Sequence, residues 1–191
     1  MPRSAQDTRR ILEREARIIQ TTREIAERDG WSAVTVRLLA EAIGVSQPIL
    51  YRHFPRGREE IVERVVIDGY TELATAMDVP DDGTGTLPAL IAAYLAFARE
   101  HPAVYEAMAS FRTGIAFASS DTPAVLRQGF ALLERAVGGR DGRDTAVRAE
   151  LLWSTLHGIS QLEAHDRLDS DLDGLREDTV AALFAAQSPQ S

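Results

Sequence analysis

The chain has 191 residues, 45% apolar and 26% charged, a mix that supports one or two compact cores and excludes disorder and collagen-like fibres. Its 21 basic and 29 acidic residues give a formal charge of −8, which over the whole chain argues against a nucleic-acid partner. The lack of cysteine excludes disulfides, thiolate catalysis and Cys-ligated metal. No run of about 18 apolar residues is present, and polar Met1 to Arg10 stand where a signal peptide would be apolar, so the expected location is the cytoplasm. Every basic residue is arginine, so any phosphate or carboxylate partner meets a planar guanidinium fork.

Apolar residues recur at helical spacing almost throughout, with no sustained alternation of period two, which predicts an all-α fold. The first helix is expected over Thr8 to Asp29, with Ile11, Ile18, Ile25 and Ala26 on one stripe and Gly30 ending it in a left-handed conformation. Thr35 is placed to cap a second helix, Val36 to Ile43, whose Val36, Leu39, Ala40 and Ile43 follow the i, i+3, i+4, i+7 pattern and which Gly44 stops. Ser46 then caps a third helix, Gln47 to about Phe54, with Pro48 in its first turn where a missing N–H costs nothing. Two short helices joined by a Gly-containing turn form a helix-turn-helix. A long fourth helix is expected from Arg58 to Met77, with Ile61, Val62, Val65, Val66, Tyr70, Leu73 and Met77 inside. The turn-rich stretch Asp78 to Thr86 follows it as the candidate boundary.

Five more helices are expected: Leu87 to Glu100, Pro102 to Arg112, Pro123 to Val137, Asp144 to Leu168 and Asp171 to Ala186. His101-Pro102, Thr122-Pro123 and Gly138-Gly139 mark the breaks, and Gly114 to Asp121 reads as a loop. The expected architecture is thus about nine helices. Residues 1–57 are expected to form a three-helix unit carrying the helix-turn-helix, helix 58–77 to connect, and residues 78–191 to form a second helical bundle.

A recognition helix presents its N-terminal residues to base edges in the major groove, so Gln47, Pro48 and Arg52 are placed to read sequence, Gln being able to bond adenine in bidentate fashion. Ser46 and Thr35 sit at helix N-termini, where free N–H groups and the dipole suit a phosphate oxygen. Arg37, Tyr51, His53 and Arg58 add donors around the same face.

The run Trp31 to Phe54 (WSAVTVRLLAEAIGVSQPILYRHF) resembles the DNA-binding domain of the TetR/AcrR family of transcriptional regulators, through Thr35, the Gly44-Val45-Ser46 turn and the Leu50-Tyr51-x-His53-Phe54 ending. Leu151 to Glu163 (LLWSTLHGISQLE), with Trp153, His157 and Gly158, resembles the effector domain of the family branch named for its Trp, His and Gly residues. The resemblance implies phosphate roles for Thr35, Tyr51 and His53 and for a basic residue at the start of the fourth helix. Pro55-Arg56-Gly57-Arg58 is one residue longer than the common spacing, so either Arg56 or Arg58 fills that role.

In the second half, Tyr94, Phe97, His101, Tyr105, Met108 and Phe111, with Trp153 and His157, are the candidates to line a pocket for a small apolar or aromatic effector. Gly158 would let Trp153 and His157 pack under a close helix crossing. The last two helices carry apolar stripes, Val147, Leu151, Leu152, Thr155, Ile159 and Leu162 on one and Leu172, Leu175, Val180 and Leu183 on the other. The resemblance implies that these form a four-helix homodimer interface. Such a dimer presents recognition helices about 34–36 Å apart, so the operator is expected to be a near-palindromic duplex, released when the effector favours another conformer.

His53, His101, His157 and His165 form no HExxH or Glu-x-x-His pair, and no phosphate loop or GxSxG is present, so no metal, no cofactor and no enzymatic activity are expected. The alternative function is a helical ligand-binding or interaction protein without specific DNA binding. Residues 1–58 hold 11 arginines against 7 acids, a net of +4, and residues 59–191 hold 10 against 22, a net of −12. The whole-chain acidity therefore belongs to the body, and the expected DNA-reading head is basic.

Overall fold

The computed structural model describes residues 5–80, 86–110 and 121–185. Among these the chain is helical, without strands. Its helices are α1 (Ala5–Asp29), α2 (Val36–Ile43), α3 (Gln47–His53), α4 (Arg58–Met77), α5 (Thr86–Glu100), α6 (Pro102–Ser110), α7 (Ala124–Val137), α8 (Gly142–Glu163) and α9 (Asp173–Phe184), with a 3-10 turn at Ser170–Leu172. The expected end of α6, most of the Gly114 to Asp121 loop, and Phe111 lie outside the described residues.

Most boundaries follow from the local chemistry read in the sequence. Gly30 and Gly44 end α1 and α2 at φ +77 and +73, in the left-handed region. The Thr35 hydroxyl accepts the Leu38 N–H at 3.1 Å, satisfying an orphan donor of α2. Pro48 sits in the first turn of α3 as expected, but the Ser46 side chain makes no capping bond although the residue holds the cap position.

The start of α7 and both ends of α8 differ from expectation, as do the start of α1, at Ala5, and the bounds of α9, at Asp173 and Phe184. Pro123 is itself the N-cap of α7 and lies outside its first turn. α8 starts at Gly142 because the Asp141 carboxylate accepts the N–H groups of Arg143 and Asp144, both at 2.9 Å. It ends at Glu163, five residues before the expected Leu168. The chain there turns through Asp166 at φ +53, a conformation a short polar side chain tolerates.

The described helices form two compact units, and the division falls inside α4, between Gly69 and Tyr70. The first unit holds α1, α2, α3, the start of α4, and α6. Ile18, Ile25 and Ala26 of α1 are buried, with Leu39, Ala40 and Ile43 of α2, Leu50 of α3, and Ile61, Val62, Val65 and Val66 of α4. Each large aliphatic removed from water here contributes about 1.5–3 kcal/mol before entropy is counted.

α6 is the unexpected member, since the sequence groups it with the C-terminal bundle. It packs on α1. The Trp31 indole N–H donates to the Ala103 carbonyl at 2.7 Å, and the Glu27 carboxylate accepts the N–H groups of Ala103 and Val104 at 3.0 and 3.3 Å. A carboxylate on α1 thus caps the first turn of α6, where the helix dipole favours negative charge. Gly69 completes the fit: a Cβ there would lie 2.7 Å from Val104 Cγ1 and 2.8 Å from Met108 Sδ.

In the second unit α5 is central and packs on α7, α8 and α9, with α7 also on α8. Leu90, Ile91, Tyr94 and Leu95 of α5 are buried, as are Leu132, Leu133 and Val137 of α7, Leu152 and Leu156 of α8, and Val180 of α9. Arg99 of α5 forms a two-pronged pair with Glu163 of α8, both contacts at 3.1 Å, and a further bond to Glu177 of α9 at 3.1 Å. No helix is long and apolar enough to cross a membrane among the described residues.

Candidate functional site

The helix-turn-helix presents a polar face over the apolar side that closes the core. Thr35, Arg37, Ser46, Gln47, Pro48, Tyr51 and Arg52 are all exposed, whereas Leu39, Ala40, Ile43 and Leu50 between them are buried. The Thr35 hydroxyl spends a lone pair on Leu38 and keeps its hydrogen for an outside acceptor. Arg37 pairs only loosely with Glu41, at 4.0 Å. The Tyr51 ring lies against Gly57, which sits at φ +59, and a Cβ at Gly57 would come within 2.9 Å of Tyr51 Cε1. The Pro55–Gly57 turn therefore sets where the phenol points.

Two of the expected phosphate ligands make internal bonds. His53 is nearly covered, its side chain 8% exposed, with Nδ1 3.2 Å from the Glu15 carboxylate of α1. Arg58 donates from Nε to the Val34 carbonyl at 2.9 Å and from Nη2 to the Trp31 carbonyl at 3.0 Å. Arg56, the other candidate at this turn, pairs with Glu63 and Glu59. Sequence spacing alone does not register these carbonyl and carboxylate partners, which lie up to 38 residues away.

The second feature is a cavity of about 680 Å³ within the second unit, between the end of α4 and helices α5, α7 and α8. Of the eight residues expected to line a pocket, Tyr94 and Trp153 do so. His101, Tyr105 and Met108 belong to the first unit, where Tyr105 and Met108 are core. Phe97 is buried elsewhere in the second unit, and His157 is half-buried, its desolvation pushing the imidazole pKa down. The aromatics of α5 and α6 read as one stripe in the sequence, and the break at His101-Pro102 divides it between two cores.

The cavity walls that sequence reasoning missed are Tyr70, Leu73 and Met77 of α4 and Leu126, Phe130 and Leu133 of α7. All have helical spacing that looks like plain core. Polar groups reach the cavity as well: Thr122, Arg127, Glu134 and Glu150. Among the described residues no group of three or more His, Asp or Glu side chains is placed to hold a metal ion.

On α8, the 3-10 turn and α9 the apolar stripes divide. Leu152 and Val180 point into the subunit and are buried, while Val147, Leu151, Leu162, Leu172, Leu175 and Leu183 are 40–70% exposed. Gly158 lies on the exposed line of Leu151 and Leu162, and a Cβ added to it would meet nothing within 4 Å. The expected close crossing at Gly158 therefore does not occur within the chain's described residues.

Residues 18–65 match the family model for bacterial regulatory proteins of the tetR family, and residues 87–186 match the model for the tetracyclin repressor-like C-terminal domain. The chain belongs to the TetR family of transcriptional regulators, and its helix-turn-helix is of that family's DNA-binding type. Solved structures share the fold. A chain described as the regulatory protein SCO4313 has a TM-score of 0.74 at 23% identity, over 96% of this chain and 98% of that one. A tetR-family transcriptional regulator from Streptomyces coelicolor has 0.66 at 20%, over 90% and 77%. TetR from Acinetobacter baumannii AYE has 0.61 at 16%, over 88% and 97%. None of the curated proteins compared with the chain matches it.

Proposed function

We propose that the protein is a repressor that binds a near-palindromic duplex as a homodimer in the cytoplasm, without enzymatic activity, and is released by a small apolar effector held in the α4–α8 cavity. The observation that carries the DNA-binding part is the polar face of α2 and α3, where seven exposed residues of matching chemistry stand over a closed apolar core. Gln47 and Arg52 read base edges, and Pro48 supports an apolar contact to a thymine methyl. Thr35, Arg37, Ser46 and Tyr51 hold phosphates. His53 and Arg58 would have to give up Glu15 and the Val34 and Trp31 carbonyls to reach the backbone, so this reading gives them the role of positioning α3 and the connector.

The dimer is supported by the exposed leucines of α8 and α9, a patch that a monomer has no reason to leave in water. Gly158 on the same line lets a partner helix approach closely. Membership of the Trp-His-Gly branch rests on Trp153 standing at the cavity, with His157 and Gly158 following within about two turns of the same helix.

Fluorescence anisotropy with a labelled duplex from the gene's own upstream region tests the reading. Submicromolar binding that weakens steeply between two salt concentrations is expected. Gln47→Ala is expected to relax preference at one base position, and Arg37→Ala or Tyr51→Phe to weaken all operator variants alike, each by about three- to tenfold. Weak, sequence-independent binding would leave a helical ligand-binding protein as the better reading.

A further inference from the structure

We infer that the cavity selects an apolar organic cation over a neutral or anionic ligand of the same size; this rests on the proposed effector role of that cavity. Four aromatic rings, Tyr70, Tyr94, Phe130 and Trp153, border the space, and the negative face of such rings attracts a cation that has shed its water. Glu134 and Glu150 reach the same cavity from α7 and α8. Among the described residues neither carboxylate has a hydrogen bond or an ion pair, so both charges are available to a ligand. Arg127 is the opposing group, and its guanidinium already donates from Nη1 to the Thr122 carbonyl.

The Arg127 guanidinium keeps its charge when it donates to a neutral carbonyl, so the two carboxylates and the one guanidinium leave the cavity with a net charge of −1, which attracts a cation and repels an anion. The second unit as a whole adds a longer-range field of the same sign, since residues 70–100 and 116–191 together carry 17 acids against 8 arginines. The charged centre of the ligand sits at the cavity mouth, where Glu150 and Trp153 are exposed and Glu134 is half-buried. The ligand's apolar body fills the space among Leu126, Leu133 and Met77, and its charge faces α7 and α8.

Tetraphenylphosphonium and tetraphenylborate have nearly the same shape and opposite charge, so a calorimetric titration of the full-length protein with each isolates the sign of the charge. The cation is expected to bind at least about tenfold tighter, and the Glu134→Gln/Glu150→Gln double variant to lose about fivefold or more for the cation only. Neither carboxylate makes an internal bond, so the variant's unfolding temperature should match the parent's. Equal affinity for the two ions, preference for borate, or an unchanged preference in the double variant overturns the inference. Duplex binding of the ligand-free protein is measured on the same samples. DNA binding with borate preferred defeats the cation inference alone, and cation preference without DNA binding defeats the regulator reading alone.

Discussion

Tyr51 owes its position to Gly57. The left-handed backbone at φ +59 and the absence of a side chain together let the phenol lie against Gly57 while Tyr51 stays exposed. Gly57→Ala is expected to cost about 1–2 kcal/mol in backbone strain and to displace the ring as well. Gly44→Ala provides the control: it carries the same strain at φ +73 but has no atom within 4 Å of the added Cβ. Thermal unfolding should therefore show similar losses for the two variants. Duplex affinity measured where both are fully folded should fall further for Gly57→Ala, and equal losses would remove Tyr51 from the DNA face. At this scale the sequence revealed the cap at Thr35, because the donor it satisfies is three residues away. It did not reveal that Arg58 and His53 are engaged, because their partners are backbone and carboxylate groups on other elements.

Among the elements, α6 shows how a short helix is assigned to a core. Its apolar residues Ala103, Val104, Tyr105, Ala107 and Met108 are all buried, yet nothing in their spacing says against what. The decision is made by Glu27 and Trp31, which satisfy the start of α6 from α1 and its connector. Replacing Glu27 with Ala leaves two N–H groups without their acceptor and is expected to destabilise the fold by about 1–2 kcal/mol, with Glu27→Gln losing less because its carbonyl still accepts. Denaturant unfolding checks this. Equal stability of Glu27→Ala and the parent would mean that water replaces the carboxylate without loss.

For the whole molecule, the exposed leucines of α8 and α9 predict a concentration-dependent assembly. Leu151→Arg combined with Leu183→Glu should give a monomer by sedimentation, since both side chains are more than half exposed in the single chain and their replacement disturbs no internal packing. Its duplex affinity should fall by about a hundredfold or more, because two half-sites would no longer be bound together. A dimer that persists in the double variant would move the interface elsewhere. The division of charge, net +4 over residues 1–58 and −12 over the remainder, fits this arrangement. Salt dependence should accordingly follow the arginines of the head.

By itself the sequence determined the order of the helices among the described residues, the turn at Gly44 to Ser46, and the polar face of the helix-turn-helix. These are local: a period of 3.6, a cap three residues from its donor, and a glycine whose φ the turn requires. Only the tertiary structure decided that α6 belongs with α1, that Tyr94 and Trp153 share a cavity with Phe130 and Met77, and that Arg58 braces a connector. Those outcomes depend on which apolar faces meet, and burial is indifferent to separation along the chain. A stripe of leucines or aromatics therefore announces that it will be covered, while the partner that covers it is set by the packing of the whole unit.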